Sequence, residues 1–362
     1  MIWTVIEKQI QDKDAKKHAG GKARDDLKNI FLRCGFRAIE VYAPQTERGA
    51  ASVLKKGLYH IEVARKWKHE VAEIKKGEIL ILQFPIINHT LFFPSVLRRL
   101  TCRGVRLVAF IHDLELLRNS QNQWLTLAQR WRLKREELDE LGLFDTIIVH
   151  NNHMKAYLHE HLNIPEDKMQ TLEMFDYLLK ESILPAEETK EYNSCIIAGN
   201  LSKKKSAYVY DLPEHPCFEL YGIKYEPINQ DNIHYHGSFL PEELPIHLKG
   251  GFGLVWDGDS SKTCSGSWGT YLRYNNPHKT SLYLASGIPV ITWRDAAIAD
   301  FILEHDVGIT VESLDELDRA ICSITPQRYW TMKKNAEAIS DKIRTGYYTR
   351  KALEKAKITT EE

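Results

Sequence analysis

Residues 274–291 read YNNPHKTSLYLASGIPVI and contain one predicted helix with its start and stop signals, followed by a strand. Pro277 suits the first turn of a helix, because the N–H group that proline lacks would have no partner there. Asn276 before it is a favourable N-cap residue. Gly287 followed by Pro289 is a typical helix stop, and the apolar residues after it predict a buried strand.

The start of this helix combines features that attract a diphosphate. Lys279 lies in the first turn, where unpaired backbone N–H groups and the positive end of the helix dipole converge. Lysine is mildly unfavourable there, which favours function over an ordinary capped helix with a surface lysine. We therefore predict a diphosphate site, with Asn275, Asn276, His278 and Lys279 as candidate ligands.

Short apolar runs alternate with amphipathic ones on both sides of this stretch. In the first half, strands are predicted at Ile2–Ile6, Arg37–Val41, Glu78–Gln83, Arg106–His112 and Thr146–His150, and helices at Lys22–Arg33, Val53–Ile74, Leu91–Leu100 and Gln123–Leu141. In the second half, strands are predicted at Ser194–Ala198, Cys217–Tyr221, Ile233–His236, Gly253–Trp256, Pro289–Trp293 and Gly308–Val311, and helices at Pro277–Ser286, Ala296–His305, Leu314–Ser323 and Gln327–Lys357. This alternation is typical of α/β proteins with parallel sheets covered by helices.

The chain length of 362 residues suggests two domains. A polar, charged stretch between Lys180 and Asn193 is the predicted linker. We expect an N-terminal domain over 1–190, a C-terminal domain over 191–330, and a C-terminal helix over 331–362. Two doubly wound halves form a cleft, and ligands bind at the carboxyl ends of such strands.

Composition restricts the partners and the location. Lys+Arg and Asp+Glu are equal at 49 each, which argues against a general nucleic-acid binder. We expect a cytoplasmic protein, because no signal peptide or membrane-spanning stretch is evident. A peripheral contact with the inner membrane stays open, through basic or aromatic surface near Trp67, Arg98 and Arg99.

A candidate general base follows the predicted strand Arg106–His112. Asp113 and Glu115 lie just beyond its carboxyl end, where a carboxylate could deprotonate an acceptor hydroxyl. The structural alternatives are a helix cap by Asp113 and a salt bridge from Glu115 to Arg118.

Two other loops carry candidate phosphate ligands. Gly20 and Gly21 precede a predicted helix and permit close approach of a ligand, although they do not form a GxGxxG motif. Asn200 and Lys203 follow the first strand of the second half. That lysine-rich segment could meet a phosphate or simply solvate a helix end.

Asp257 and Asp259 have the D-x-D form that could hold Mg²⁺ or Mn²⁺. A short acidic turn after a strand is common, however. We therefore predict no metal site, and expect both carboxylates to contact substrate hydroxyls in the cleft.

Together these segments resemble bacterial galactofuranosyltransferases and their nucleotide-sugar glucosyltransferase relatives. The similar segments are residues 19–24, 112–115, 252–258, 274–284, 287–291 and 296–301. The resemblance implies a GT-B fold, with two Rossmann-like domains facing a cleft and a C-terminal helix that crosses back. The N-terminal domain would lie on the acceptor side, and the C-terminal domain would bind the nucleotide sugar. It also implies a UDP-sugar donor, a glycan, glycolipid or glycoprotein acceptor, no cofactor or essential metal, and a homo-oligomer. Such enzymes build surface polysaccharides or glycoprotein glycans.

The resemblance assigns roles to individual residues. It implies that Asn276 and Lys279 bind the nucleotide diphosphate, and that a loop near Gly20 and Gly21 closes over the donor. Many retaining GT-B enzymes carry an E-x7-E motif, whose positions here are occupied by Tyr274 and Leu282. The missing carboxylates favour an inverting enzyme, with Asp113 as the first choice of base and Glu115 as the second.

Two alternatives remain open from the sequence. A UDP-sugar epimerase of the same fold would convert the donor without an acceptor. A non-catalytic subunit would bind nucleotide sugar and support a partner transferase, with the long final helix as its interface.

Overall fold

The framework of the protein is a pair of parallel sheets, one from each half of the chain. The computed structural model describes residues 1–8, 19–42, 53–119, 126, 133, 137–179 and 192–359. Each sheet has six strands.

The N-terminal sheet consists of β1 Ile2–Lys8, β2 Arg37–Tyr42, β3 Ile79–Phe84, β4 Arg106–Ile111, β5 Thr146–Val149 and β6 Met169–Thr171. Its strand order is β2-β1-β3-β4-β5-β6. The helices described in this half are α1 Ala19–Arg33, α2 Val53–Glu70, α3 Phe93–Cys102, α4 Glu115–Arg118, α5 Asp139–Leu141 and α6 Asn152–Leu162.

The C-terminal sheet consists of β7 Ser194–Asn200, β8 Cys217–Ile223, β9 Ile233–Tyr235, β10 Phe252–Val255, β11 Val290–Trp293 and β12 Gly308–Val311. Its strand order is β12-β11-β10-β7-β8-β9. The helices of this half are α7 Lys203–Ser206, α8 Leu244–His247, α9 Gly266–Tyr271, α10 His278–Ala285, α11 Ile298–Glu304, α12 Leu317–Cys322, α13 Pro326–Thr345 and α14 Tyr347–Lys355.

The central strands show why their sequences are apolar without alternation. All four residues of β5, β10 and β11 are buried, because helices cover both faces of each sheet. All the predicted strands are present, which confirms the doubly wound α/β class.

Among the described helices and strands, β6, α4, α6, α7, α8 and α9 were not predicted. The three residues of β6 are too few to show a periodic pattern. The start of α6 had a readable signal, because the Asn151 side chain accepts a hydrogen bond from Met154 N at 2.9 Å as a typical N-cap. Most of the predicted helix Gln123–Leu141 lies outside the described residues, and its end is observed as α5.

The prediction of one continuous final helix was wrong. The chain breaks between α13 and α14 at Gly346, whose φ of 82° lies in the left-handed region. Asp176 then accepts hydrogen bonds from Tyr348 N at 3.2 Å and Thr349 N at 2.7 Å, which anchors the start of α14 to the N-terminal half. The predicted crossing back is therefore made by α14, which packs against α1 and β6.

The predicted domain bounds stay predictions. The boundary at residue 190 lies outside the described residues, and the one at residue 330 falls inside α13.

The surface proposed for membrane contact differs from the expectation. Trp67 is 1% exposed, donates its Nε1–H to Asn88 O at 3.1 Å and packs edge-on against Phe93. Trp67 is thus a core residue, and of the three residues named for membrane contact only Arg98 and Arg99 are exposed. No helix in the described ranges is both long and apolar enough to cross a membrane.

Candidate donor site between the two sheets

The carboxyl ends of the two sheets face each other, and side chains from both halves meet there. Tyr271 Oη, at the end of α9, accepts a hydrogen bond from Leu114 N at 3.0 Å, just beyond β4. Asn276 makes the largest set of contacts across this boundary. Its backbone N–H donates to His150 Nδ1 at 3.0 Å, and its Nδ2 donates to His150 O at 2.8 Å and to Glu173 O at 2.9 Å.

The predicted N-cap role of Asn276 was wrong. The N-cap position of α10 is Pro277, and no side chain caps it. The Asn276 side chain instead turns to the N-terminal half, where its Oδ1 accepts from Asn151 Nδ2 at 2.7 Å. Asn276 is 3% exposed and its polar atoms are engaged between the halves, so its contact with a diphosphate stays a prediction.

Lys279 lies in the first turn of α10, as predicted. Its Nζ donates to Trp256 O and to Asp257 Oδ1, both at 2.8 Å, at the carboxyl end of β10. A Cβ placed on Gly199 would lie 3.8 Å from Lys279 Cε, so the end of β7 also borders this ammonium. Lys279 and Asp257 are thus held together at the point where two central strands end.

Lys205 is the residue of the lysine-rich segment that faces this point. Its Nζ lies 4.7 Å from the centroid of the Trp268 ring and has no hydrogen-bond acceptor among the described residues. Burial lowers the pKa of Lys205. The nearby Asp257 opposes this decrease, whereas Lys279 adds to it. The ammonium is therefore a partly buried positive charge without a hydrogen-bonded anion.

Lys203, the lysine predicted from this segment, points elsewhere. Its Nζ pairs with Glu226 at 2.7 Å, and its side chain is 59% exposed. Lys203 and Lys205 are two residues apart on the short helix α7, so their side chains project from different faces. Asn200 lies beside them at the end of β7, where its Oδ1 accepts from Ser202 N at 3.1 Å.

The candidate bases lie on the opposite wall. Asp113 pairs with the Arg118 guanidinium through Oδ2, and its side chain is 34% exposed. Arg118 Nη2 also lies 3.4 Å from Glu115 Oε1, so the predicted salt bridge is present. The electrostatic environment of Lys205 includes both Asp113 and Arg118, which brings this wall and the lysine cluster together.

A carboxylate that the sequence reasoning missed supports the loop after β4. Glu137 accepts hydrogen bonds from Glu115 N at 2.7 Å and Leu116 N at 2.8 Å, and so caps α4. Burial raises the pKa of Glu137 to about 8, and the nearby charges of Glu115 and Asp113 add to the increase. Glu137 lies more than twenty residues after Glu115 and Leu116 in the sequence, so no local pattern linked it to this loop.

Histidines line the remaining part of the boundary between the sheets. His112, His150 and His278 surround the Phe175 ring, with centroid distances of 5.8, 4.9 and 6.1 Å. Burial lowers the pKa of His150 and of His278 to about 4, so both rings are neutral at pH 7. The Nε2 atoms of His150 and His278 are buried and have no hydrogen-bond partner among the described residues.

The other predicted ligands are less closely grouped. Gly20 and Gly21 lie within the first turn of α1, and a Cβ on Gly21 would meet open space. Residues 9–18, which precede the predicted closing loop near Gly20 and Gly21, lie outside the described residues. Asn275 Oδ1 is buried and has no partner in the described part of the chain.

The D-x-D carboxylates do not converge. Asp257 bonds to Lys279, whereas Asp259 bonds to Ser265 Oγ. Across the described residues, no group of three or more His, Cys, Asp or Glu side chains is arranged to hold a metal ion.

Comparisons with known proteins agree with this architecture. Family models described as the N-terminal and C-terminal domains of glucosyltransferase 3-like proteins match residues 5–174 and 195–356. The β-1,6-galactofuranosyltransferase WbbI of Escherichia coli K12 is 38% identical over 347 residues, covering 94% of each chain. Glucosyltransferase 3 of Streptococcus gordonii is 26% identical, covering 91% of this chain and 92% of its own.

Solved structures show the same fold at low sequence identity. Sucrose-phosphate synthase from Thermosynechococcus elongatus aligns with a TM-score of 0.66 at 13% identity, covering 99% of this chain and 98% of its own. WaaG, a glycosyltransferase of lipopolysaccharide biosynthesis, aligns with a TM-score of 0.56 at 11% identity, covering 98% and 99%. The chain therefore belongs to the glucosyltransferase 3-like family and has the GT-B fold of glycosyltransferases.

Proposed function

We propose that the protein transfers a hexose from a UDP-sugar to a hydroxyl group of a glycan or glycoconjugate. Galactofuranose and glucose are the candidate sugars, because the relatives are named as transferases of these two. The donor diphosphate lies between Lys205 and Lys279, and the acceptor approaches from the side of Asp113.

The observation that carries this proposal is the state of Lys205. The partly buried Lys205 ammonium has no hydrogen-bonded anion among the described residues, and a bound phosphate would supply a negative charge and acceptor atoms. Lys279 lies on the same site and is fixed by Trp256 O and Asp257. Together the two lysines neutralise the diphosphate, which stabilises UDP as the leaving group.

The chemistry is a single displacement with inversion. Asp113 accepts the proton of the acceptor hydroxyl while the hydroxyl oxygen bonds to the anomeric carbon. The bond from that carbon to the β-phosphate oxygen breaks, and UDP leaves with the electron pair. Tyr274 and Leu282 occupy the two positions where many retaining GT-B enzymes carry the Glu residues of the E-x7-E motif, which supports this route.

The cation cluster also supports a reaction without a metal. Lys205, Lys279 and Arg118 can provide the charge that a divalent ion would otherwise bring to a diphosphate. Oligomer formation and a peripheral membrane contact are part of the proposal only as predictions from the sequence.

A transfer assay tests the function directly. UDP-galactofuranose and UDP-glucose are incubated with glycoside acceptors in EDTA, and the product anomer is identified by NMR. We expect transfer with inversion from one donor. Conversion of the donor without acceptor would support the epimerase instead, and UDP binding without turnover would support the non-catalytic subunit.

A further inference from the structure

We propose that Arg118 is a ligand of the donor diphosphate, and that donor binding draws it away from Asp113. The inference rests on the proposed function and deepens it. It assigns to the N-terminal half a cation that completes a site otherwise built by the C-terminal half. It also makes the availability of the base depend on the presence of the donor.

The position of Arg118 supports this assignment. Its guanidinium carbon lies 4.4 Å from the centroid of the Trp268 ring, and Lys205 Nζ lies 4.7 Å from the same centroid. Trp268 belongs to α9 of the C-terminal half, whereas Arg118 ends α4 of the N-terminal half. One indole ring thus holds a cation from each half beside the lysine site.

The charges explain why Arg118 would exchange partners. Arg118 contributes a like charge to the surroundings of Lys205, together with Lys279. A diphosphate placed among these three cations would relieve that repulsion, and its oxygens match the planar fork of a guanidinium. Among the described residues, Arg118 forms ion pairs only with Asp113 and Glu115. It must weaken those pairs to reach the phosphate.

The exchange frees Asp113 at the correct step. While Arg118 is paired with Asp113 through Oδ2, part of the carboxylate is occupied. When the guanidinium moves to the diphosphate, the carboxylate becomes available to the acceptor hydroxyl. The acceptor is then deprotonated only when a donor is present to receive the attack.

Calorimetry with UDP and UMP tests the inference. Arg118→Gln should weaken UDP binding at least tenfold while changing UMP binding less than threefold, because only UDP carries the second phosphate. Arg118→Lys should recover part of the UDP affinity. The control is Arg328→Gln, which removes an exposed guanidinium paired with Asp306, just before the amino end of β12, and should bind UDP as the wild type does.

A second variant tests the competition while leaving Arg118 intact. Asp113→Asn should bind UDP several times more tightly than the wild type, since Arg118 no longer has to leave a carboxylate. Unchanged UDP affinity in both Arg118→Gln and Asp113→Asn would overturn the inference, as would equal weakening for UDP and UMP. Failure of the wild type to bind any nucleotide would instead overturn the proposed function itself.

Discussion

At the scale of single residues, Asp113 and Arg118 form the pair on which the proposed chemistry depends. The Asp113 carboxylate lies just beyond β4, on the edge of the sheet that faces the C-terminal half. Its partial exposure lets an acceptor hydroxyl reach it, and its position after a central strand fixes its direction.

Asp113→Asn should lower the turnover of transfer by about 100- to 10,000-fold, the usual contribution of a general base. UDP binding should not weaken, because the diphosphate site remains. Turnover is measured with saturating donor, and Glu115→Gln serves as the matched variant for the second candidate base. Wild-type turnover in Asp113→Asn together with a loss in Glu115→Gln would transfer the role to Glu115.

His150 gives the folded state a pH dependence with a defined sign. Its pKa of about 4 in the fold is below the ordinary value of 6.5, so the unfolded chain binds more protons between these two values. The contribution of His150 to stability therefore falls as the pH decreases from about 6.5 to about 4, by roughly 2–3 kcal/mol in total.

Urea unfolding of the wild type and His150→Asn between pH 7 and pH 4.5 checks this expectation. The stability of the wild type relative to the variant should decrease as the pH falls. Groups with raised pKa values, such as Glu137, are present in both proteins and cancel in the difference. A difference that does not change with pH would contradict the assignment of a buried neutral ring.

The sequence was sufficient to place Lys279 in the first turn of α10, because Pro277 marks the start of that helix. From the lysine run 203–205, Lys203 was predicted and not Lys205, since a run of like residues carries no signal of helix phase. Asn276 was assigned the wrong local role because its partners, among them His150, lie more than one hundred residues away.

Elements were predictable where their own sequences carried the information. Buried strands such as β5 and β10 are continuous apolar runs, and every described strand except the three-residue β6 was predicted. The break at Gly346 was missed because a long amphipathic pattern continues on both sides of it. The backbone needs a left-handed residue there to turn α14 onto the N-terminal half, and glycine adopts that conformation at least cost.

Gly346→Ala should destabilise the protein by about 1–3 kcal/mol. Its φ of 82° disfavours a side chain, and a Cβ would lie 2.8 Å from Ile30 Cγ1 in α1. Gly57→Ala is the matched control, because Gly57 is exposed within α2 and a Cβ there meets nothing within 4 Å. Chemical denaturation should show a loss only in Gly346→Ala, and equal stability of the two variants would contradict the role of the break.

At the scale of the whole molecule, the two sheets share one proposed site. The C-terminal half supplies Lys205 and Lys279, and the N-terminal half supplies Asp113 and Arg118. Asn276 and Tyr271 hydrogen-bond across the same boundary, so the walls are held in register. The sequence predicted the two-domain architecture, whereas the contacts between the halves depend on tertiary packing that no local pattern records.

Calorimetry of UDP binding to the wild type, Lys205→Ala and Lys204→Ala tests this shared site most directly. Lys204 is the matched control, because it is an exposed neighbour on the same helix α7. A lost charge-assisted hydrogen bond is worth about 1.5–3 kcal/mol, so Lys205→Ala should weaken UDP binding at least tenfold. Lys204→Ala should bind UDP with the affinity of the wild type. Equal UDP affinity in the wild type and Lys205→Ala would contradict the placement of the donor diphosphate.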